Sequence, residues 1–184
     1  MARCLLEQIS KYVARNLHCR VAWFTPMGLP VVQPYVKPGR QKRFAADSLM
    51  GLDLPDGNRQ ANAFPPNFIH SLDSCHMMLT ALHCFRRGIT FASVHDCFWT
   101  HPSMVDHLNQ ICREEFIALH SQPVLEDLSE YIQERFGYTT SELEAISDPE
   151  KRAKAISFNN LLRKVPEKGQ FNLQEVRDSA YFFS

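Results

Sequence analysis

No long apolar run, no surplus of either charge and no paired cysteine motif occurs in this sequence of 184 residues. Each absence removes a class of protein. Lys plus Arg equals Asp plus Glu at 20 each, so the chain is not a free-standing domain that grips nucleic acid through overall positive charge, and any such contact must be local. No stretch approaches the roughly 20 apolar residues that cross a bilayer, and no membrane insertion is expected. Cys4, Cys19, Cys75, Cys84, Cys97 and Cys112 are scattered without a C-x-x-C pair, which reads as reduced thiols in an intracellular compartment. Arg3, Glu7 and Lys11 interrupt the apolar residues near the start, against a secretory leader. The cations of that segment give it a superficial likeness to a transit peptide; Glu7 and the direct run into folded sequence oppose that reading. Internal repeats and low-complexity tracts are also missing.

What is present suits a packed core. Hydrophobic residues make up 45% and charged residues 22%, with thirteen Phe, so one domain or one domain with an appended subdomain is expected. Cys4, Leu5, Ile9, Tyr12, Val13 and Leu17 recur at helical spacing and predict a helix over 2–17. Val21 to Phe24 and Pro30 to Val36 read as short strands about a Thr25-Pro26-Met27-Gly28 turn, the second interrupted at Pro34. From Lys37 to Asn62 the pattern dissolves, predicting a long loop whose early part is basic through Lys37, Arg40, Lys42 and Arg43, either functional or a solvated insertion. Pro65-Pro66 is expected to introduce a helix over 67–87 with Phe68, Leu72, Cys75, Leu79 and Leu82 on its buried face and Gly88 as its cap. His70, Asp73, Ser74, Met77 and Cys84 share another face.

Residues 90–100 read as a tight hairpin with Asp96 near its tip. A helix then runs to about His120 with Val105, Leu108, Cys112, Phe116 and Leu119 buried, and another carries Leu125, Leu128, Tyr131, Ile132 and Phe136. Two short helices are expected between Thr139 and Lys168, broken at Pro149 and Pro166, and Asn172 with Glu175 resembles a capping box. The closing Tyr181, Phe182 and Phe183 are a poor composition for a free tail and are expected to dock.

Chemistry has few candidates. A carboxylate fixed at a hairpin tip is a suitable hard-oxygen ligand for Mg²⁺, although Asp96 also suits a simple turn former. His70, Cys75, His76, His83, Cys84, His95 and Cys97 invite a zinc reading, but their spacing lacks the two close pairs of structural zinc sites. No local signature marks Cys97 as a nucleophile.

Three stretches occur in one order: Trp23-Phe24-Thr25-Pro26-Met27-Gly28-Leu29-Pro30, then Pro66-Asn67-Phe68-Ile69-His70-Ser71-Leu72-Asp73, then Val94-His95-Asp96-Cys97-Phe98. Together they resemble the last part of single-subunit, phage-type DNA-directed RNA polymerases, and Pro65 to Ser74 with the ending Tyr181-Phe182-Phe183-Ser184 is most similar to the vertebrate mitochondrial members. The resemblance covers nearly the whole chain. It implies an α+β fold, mostly helical, forming the carboxy-terminal palm and fingers portion of a right-hand polymerase, with the hairpin 90–100 in the palm and a carboxy-terminal subdomain over 139–184.

By the same resemblance Asp96 is one of two carboxylates that hold catalytic Mg²⁺, His95 orients it, and His70 lies near the RNA end and the ribose of the incoming nucleotide. The loop 37–62 corresponds to the hairpin that reaches promoter DNA, with Lys37, Arg40, Lys42 and Arg43 as its contacts, although its sequence departs from the phage pattern. Partners implied are template and promoter DNA, nascent RNA, ribonucleoside triphosphates and mitochondrial initiation factors, in the matrix, with the targeting segment upstream. The first catalytic aspartate and the fingers helix with its nucleotide-binding lysine and tyrosine have no counterpart here, so the isolated chain is expected to be inactive. The alternative is a truncated form that acts only as a module binding nucleic acid or accessory factors.

Overall fold

The computed structural model describes residues 2–37, 54–94 and 96–182, and these are mostly helical with two small antiparallel sheets. Helix α1 spans Ala2–Asn16, strands β1 and β2 span Ala22–Phe24 and Pro30–Val32, and helix α2 spans Gly57–Arg86. Strands β3 (Ala92–Val94) and β4 (Cys97–Trp99) precede α3 (Val105–Ser121), α4 (Val124–Phe136), α5 (Thr140–Ala145) and α6 (Pro149–Leu162). Short 3₁₀ turns occupy Pro102–Met104 and Leu173–Arg177. The chain divides into two compact units, one of residues 1–24, 30–68 and 125–166, the other of residues 25–29, 69–124 and 167–184. The segment 139–184 is thereby shared between them.

In the first unit, β1 and β2 pair with Trp23 opposite Val31. Trp23 is buried against Phe64 and Phe68, at ring separations of 5.2 and 6.1 Å. A buried amide network ties this hairpin to α2. Gln33 Nε2 donates to the Gln60 side-chain and main-chain oxygens at 3.0 and 3.1 Å, and Gln60 Nε2 donates to the Tyr35 carbonyl at 2.9 Å. Val21 N–H donates to Gln60 Oε1 at 3.2 Å. Buried polar groups must find such partners, because an unpaired one costs roughly 1–3 kcal/mol.

That network corrects the expected start of α2. Residues 57–62 are not loop but the first turns of a helix that runs through Pro65 and Pro66. Asp56 provides the cap, its Oδ1 accepting from the N–H groups of Asn58 and Arg59, both at 3.1 Å. Prolines within a helix lack the N–H that its ladder uses. Here burial of Phe64 and Phe68 on both sides of the pair, together with Gln60, holds the helix through them. The expected loop therefore has a stem at Val36 and Pro55, which form an isolated bridge, and Lys37 N–H donates to the Leu54 carbonyl.

Helices α1, α4 and α6 complete this unit. Tyr12 stacks on Phe158 at 3.9 Å, and Ser129 Oγ donates to the Leu162 carbonyl at 2.6 Å. The buried face of α1 carries Leu6, Ile9, Val13 and Ala14, while Cys4, expected there, is exposed. Thr139 and Glu142 form a capping box that starts α5, and Asp148 caps α6 with Pro149 in its first turn, where a missing N–H is harmless. No helix among the described residues is long and apolar enough to cross a membrane.

The second unit centres on Cys84, Ile89, Leu108 and Ile111, with Phe91 and Phe98 packed against them. Gly88, at φ 70°, closes α2 as expected: its N–H donates to the Phe85 carbonyl and Ile89 N–H to the Cys84 carbonyl, the paired bonds of a Schellman end. That turn folds Ile89 back onto Cys84, which explains why Cys84 is buried and Leu82, expected inside, is 42% exposed. Val105 of α3 is likewise exposed rather than buried. All six cysteines are free thiols.

Candidate functional site

Alternation of side chains along β3 and β4 decides how the hairpin presents Asp96. The register pairs Ala92 with Trp99, Ser93 with Phe98 and Val94 with Cys97, so the last pair closes the hairpin around positions 95 and 96. Phe98 and Ser93 share one face. Phe98 lies 5.3 Å from the Phe91 ring and 6.1 Å from the His76 ring, while Ser93 Oγ is 3.2 Å from the Met77 sulfur. The other face, with Ala92, Val94, Cys97 and Trp99, is exposed. At the open end Thr100 Oγ1 donates to the Thr90 carbonyl at 2.6 Å. A short ribbon is marginal by itself, so its seat on α2 is what gives the tip a defined position.

Asp96 sits in that turn with its carboxylate exposed, and the Cys97 sulfur is 4.0 Å from Oδ1. His95 lies outside the described residues. His70 is exposed on α2, where its carbonyl accepts from Ser74 Oγ at 2.9 Å. His70, Asp73, Ser74 and Met77 follow one face of the helix, and Met77 is the point at which β3 meets it. Met77 follows His70 by seven helical positions, a rise of about 10 Å. The structure thus places His70 and the hairpin along one side of α2. Lys37 is exposed at the loop stem; Arg40, Lys42 and Arg43 lie outside the described residues.

His76, one of the zinc candidates, has a different task. It is buried, its Nε2 lies 2.8 Å from the Cys112 carbonyl, and its ring is tilted against Phe98 and meets Phe116 edge to face. Burial pushes its pKa below the ordinary 6.5, which the bond to Cys112 only partly offsets. The same burial pushes the Cys112 thiol up to about 12, so this pair is a neutral strut beneath the hairpin. Its helical spacing from Leu72, four residues earlier, is a signal that could have marked it as a core residue, which the sequence reading missed. His83 pairs with Glu115 at 2.7 Å.

Among the described residues no group of three or more His, Cys, Asp or Glu is positioned to hold a metal ion. Asp96 fits Mg²⁺ as one hard oxygen donor on a fixed turn. It does not supply the near-octahedral set that this ion requires.

The family model described as DNA-dependent RNA polymerase matches residues 1–184. The chain is 46% identical over 173 residues to the mitochondrial DNA-directed RNA polymerase of Homo sapiens, a match covering 89% of this chain and 13% of that protein. For the Mus musculus protein of the same description the figures are 47% over 171 residues, 89% and 14%. DNA-directed RNA polymerase 1A of Nicotiana tabacum is 44% identical over 168 residues, covering 89% of this chain and 95% of that protein. The chain spans only a small part of the length of the two mitochondrial relatives.

Proposed function

The chain belongs to the DNA-dependent RNA polymerase family, and from that membership we propose that it forms the carboxy-terminal palm and fingers part of a mitochondrial enzyme that extends RNA on a DNA template from ribonucleoside triphosphates. The observation that carries the reading is an exposed carboxylate, Asp96, on a hairpin seated against α2, within a chain matched by the family from end to end. Asp96 provides one carboxylate for Mg²⁺, and the remaining ligands come from outside these 184 residues. Mg²⁺ held there would neutralise charge on the reacting phosphates. His70, on the helix face shared with Met77, contacts the RNA end or the ribose, and His95 orients Asp96. Mitochondrial initiation factors and the matrix are the corresponding partners and place.

In a chimera that puts this chain in place of the matching segment of the mouse relative, RNA should be made on a primed DNA scaffold. The isolated chain should make none. A folded, scaffold-bound chimera without product would overturn the assignment, and synthesis by the isolated chain would show that a complete metal site lies within it. A second reading is a short form that binds nucleic acid or accessory factors without catalysis; the tobacco relative, matched over 95% of its length, is of comparable size.

We assign the basic segment that begins at Lys37, most of which lies outside the described residues, to promoter DNA. Replacing Lys37, Arg40, Lys42 and Arg43 by Gln in the same chimera should weaken promoter binding more than elongation. Each lost phosphate contact lowers the slope of log K against log salt by about 0.9. Normal initiation at moderate salt would remove the loop from the DNA.

A further inference from the structure

The chain has no net charge, yet its cations are not evenly spread. In the first unit α1 and α6 flank an open groove of about 570 Å³ into which Lys11, Arg15 and Lys154 project, along with Gln8, Asn16 and Ser157. Among the described residues no acidic side chain lines it, although Glu150 beside it pairs with Lys154. Its floor is the Tyr12 and Phe158 pair, stacked within 10° of parallel, with Phe158 only 2% exposed. The ring faces are closed on each other, so no slot for a base lies between them. Lys11 and Arg15 are one turn apart, about 6 Å along the axis.

The cations are prepared to different degrees. Arg15 donates to Asn58 Oδ1 at 2.7 Å and lies across Gly57, whose added Cβ would come within 2.8 Å of Arg15 Cγ. That bond uses one of five N–H donors and fixes the guanidinium. Lys154 meets Glu150 at 2.7 Å, an exposed pair one turn apart of the kind that holds its partner weakly. A concave wall with one sign of charge focuses potential onto an anion, and neutral amide and hydroxyl donors suit phosphate oxygens.

We propose that this groove is a further nucleic-acid contact, taking the phosphodiester backbone of one strand through Lys11, Arg15 and Lys154, apart from the hairpin and from the basic segment that begins at Lys37. The inference rests on the reading that the protein works on nucleic acid. The test is equilibrium binding of a mixed-sequence DNA and RNA scaffold to the chimera at several salt concentrations. Lys11→Gln with Lys154→Gln should reduce the salt slope by about 1.4 to 1.8, from 0.7 to 0.9 per phosphate contact, and weaken binding at low salt. Arg152→Gln, an exposed cation of α6 that does not line the groove, should leave the slope unchanged. An unchanged slope in the double variant overturns the groove alone, even if affinity falls, since the loss would then not come from a phosphate contact. An equal loss in Arg152→Gln also overturns it, because any surface cation would then serve. Absence of scaffold binding by the unaltered chimera overturns both this inference and the polymerase reading.

Discussion

Replacing Asp96 by asparagine in the chimera should abolish nucleotide addition while leaving promoter binding and the melting temperature nearly unchanged. Asn keeps the shape of the side chain and removes the negative charge that makes a strong ligand for a hard cation. Loss of a metal's stabilisation of the transition state is worth several kcal/mol. At 1.36 kcal/mol per decade, a drop of about a thousandfold or more is expected. Folding should barely register the change, since Asp96 is exposed in a turn and the hairpin is held instead by Phe98, Phe91 and the Ser93 contact to Met77. Surface substitutions away from such supports usually stay within about 0.5 kcal/mol. Near-normal RNA synthesis by Asp96→Asn would make the residue a turn former and nothing more. Retained activity in a Cys97→Ala variant separates the carboxylate from its neighbouring thiol.

The hairpin was legible because β-branched and aromatic residues flank a polar dipeptide, and α1, α3 and α4 were legible from their apolar spacing. Gly88 announced the end of α2 through a left-handed backbone conformation that glycine tolerates better than any other residue. The beginning of α2 was hidden for a physical reason. Pro65-Pro66 reads locally as a helix start, whereas the true start depends on Gln60 meeting Gln33, a contact across 27 residues that no periodicity encodes. The closing aromatics were half legible: Phe182 packs edge-on to Phe116 at 5.0 Å, but Tyr181, expected to dock, is 90% exposed. Its carbonyl instead accepts from Ser179 Oγ. Phe183 lies outside the described residues. At the candidate site Asp96 could be picked out by position, while the support from His76, Met77 and Phe98 required the fold.

Arg113→Ala should release the carboxy-terminal segment and lower stability by about 2–4 kcal/mol. Sequence marks Arg113 only as a cation on α3. In the structure its Nη1 donates to the carbonyls of Val176 at 2.7 Å and Ser179 at 2.6 Å, with Arg177 at 3.3 Å, and its guanidinium lies 5.5 Å from the Phe182 ring centre. Charge-assisted bonds are worth about 1.5–3 kcal/mol each, reduced here because water can reach part of the segment. The stacking on Phe182 adds about 0.5–1 kcal/mol. A lysine should restore the clamp only in part, since its ammonium can donate to the carbonyls but lacks the planar group that lies over Phe182. Lys168 makes an independent attachment by donating to the Gln122 carbonyl at 2.7 Å at the end of α3, so residues near Leu173–Arg177 should loosen before those near Lys168. Hydrogen exchange and limited proteolysis of the chimera would read that order, and deletion of Phe182 to Ser184 should reduce activity in the same direction with a smaller loss of stability. Unchanged exchange and an unchanged melting temperature in Arg113→Ala would show that the segment is held by its apolar contacts and not by the guanidinium.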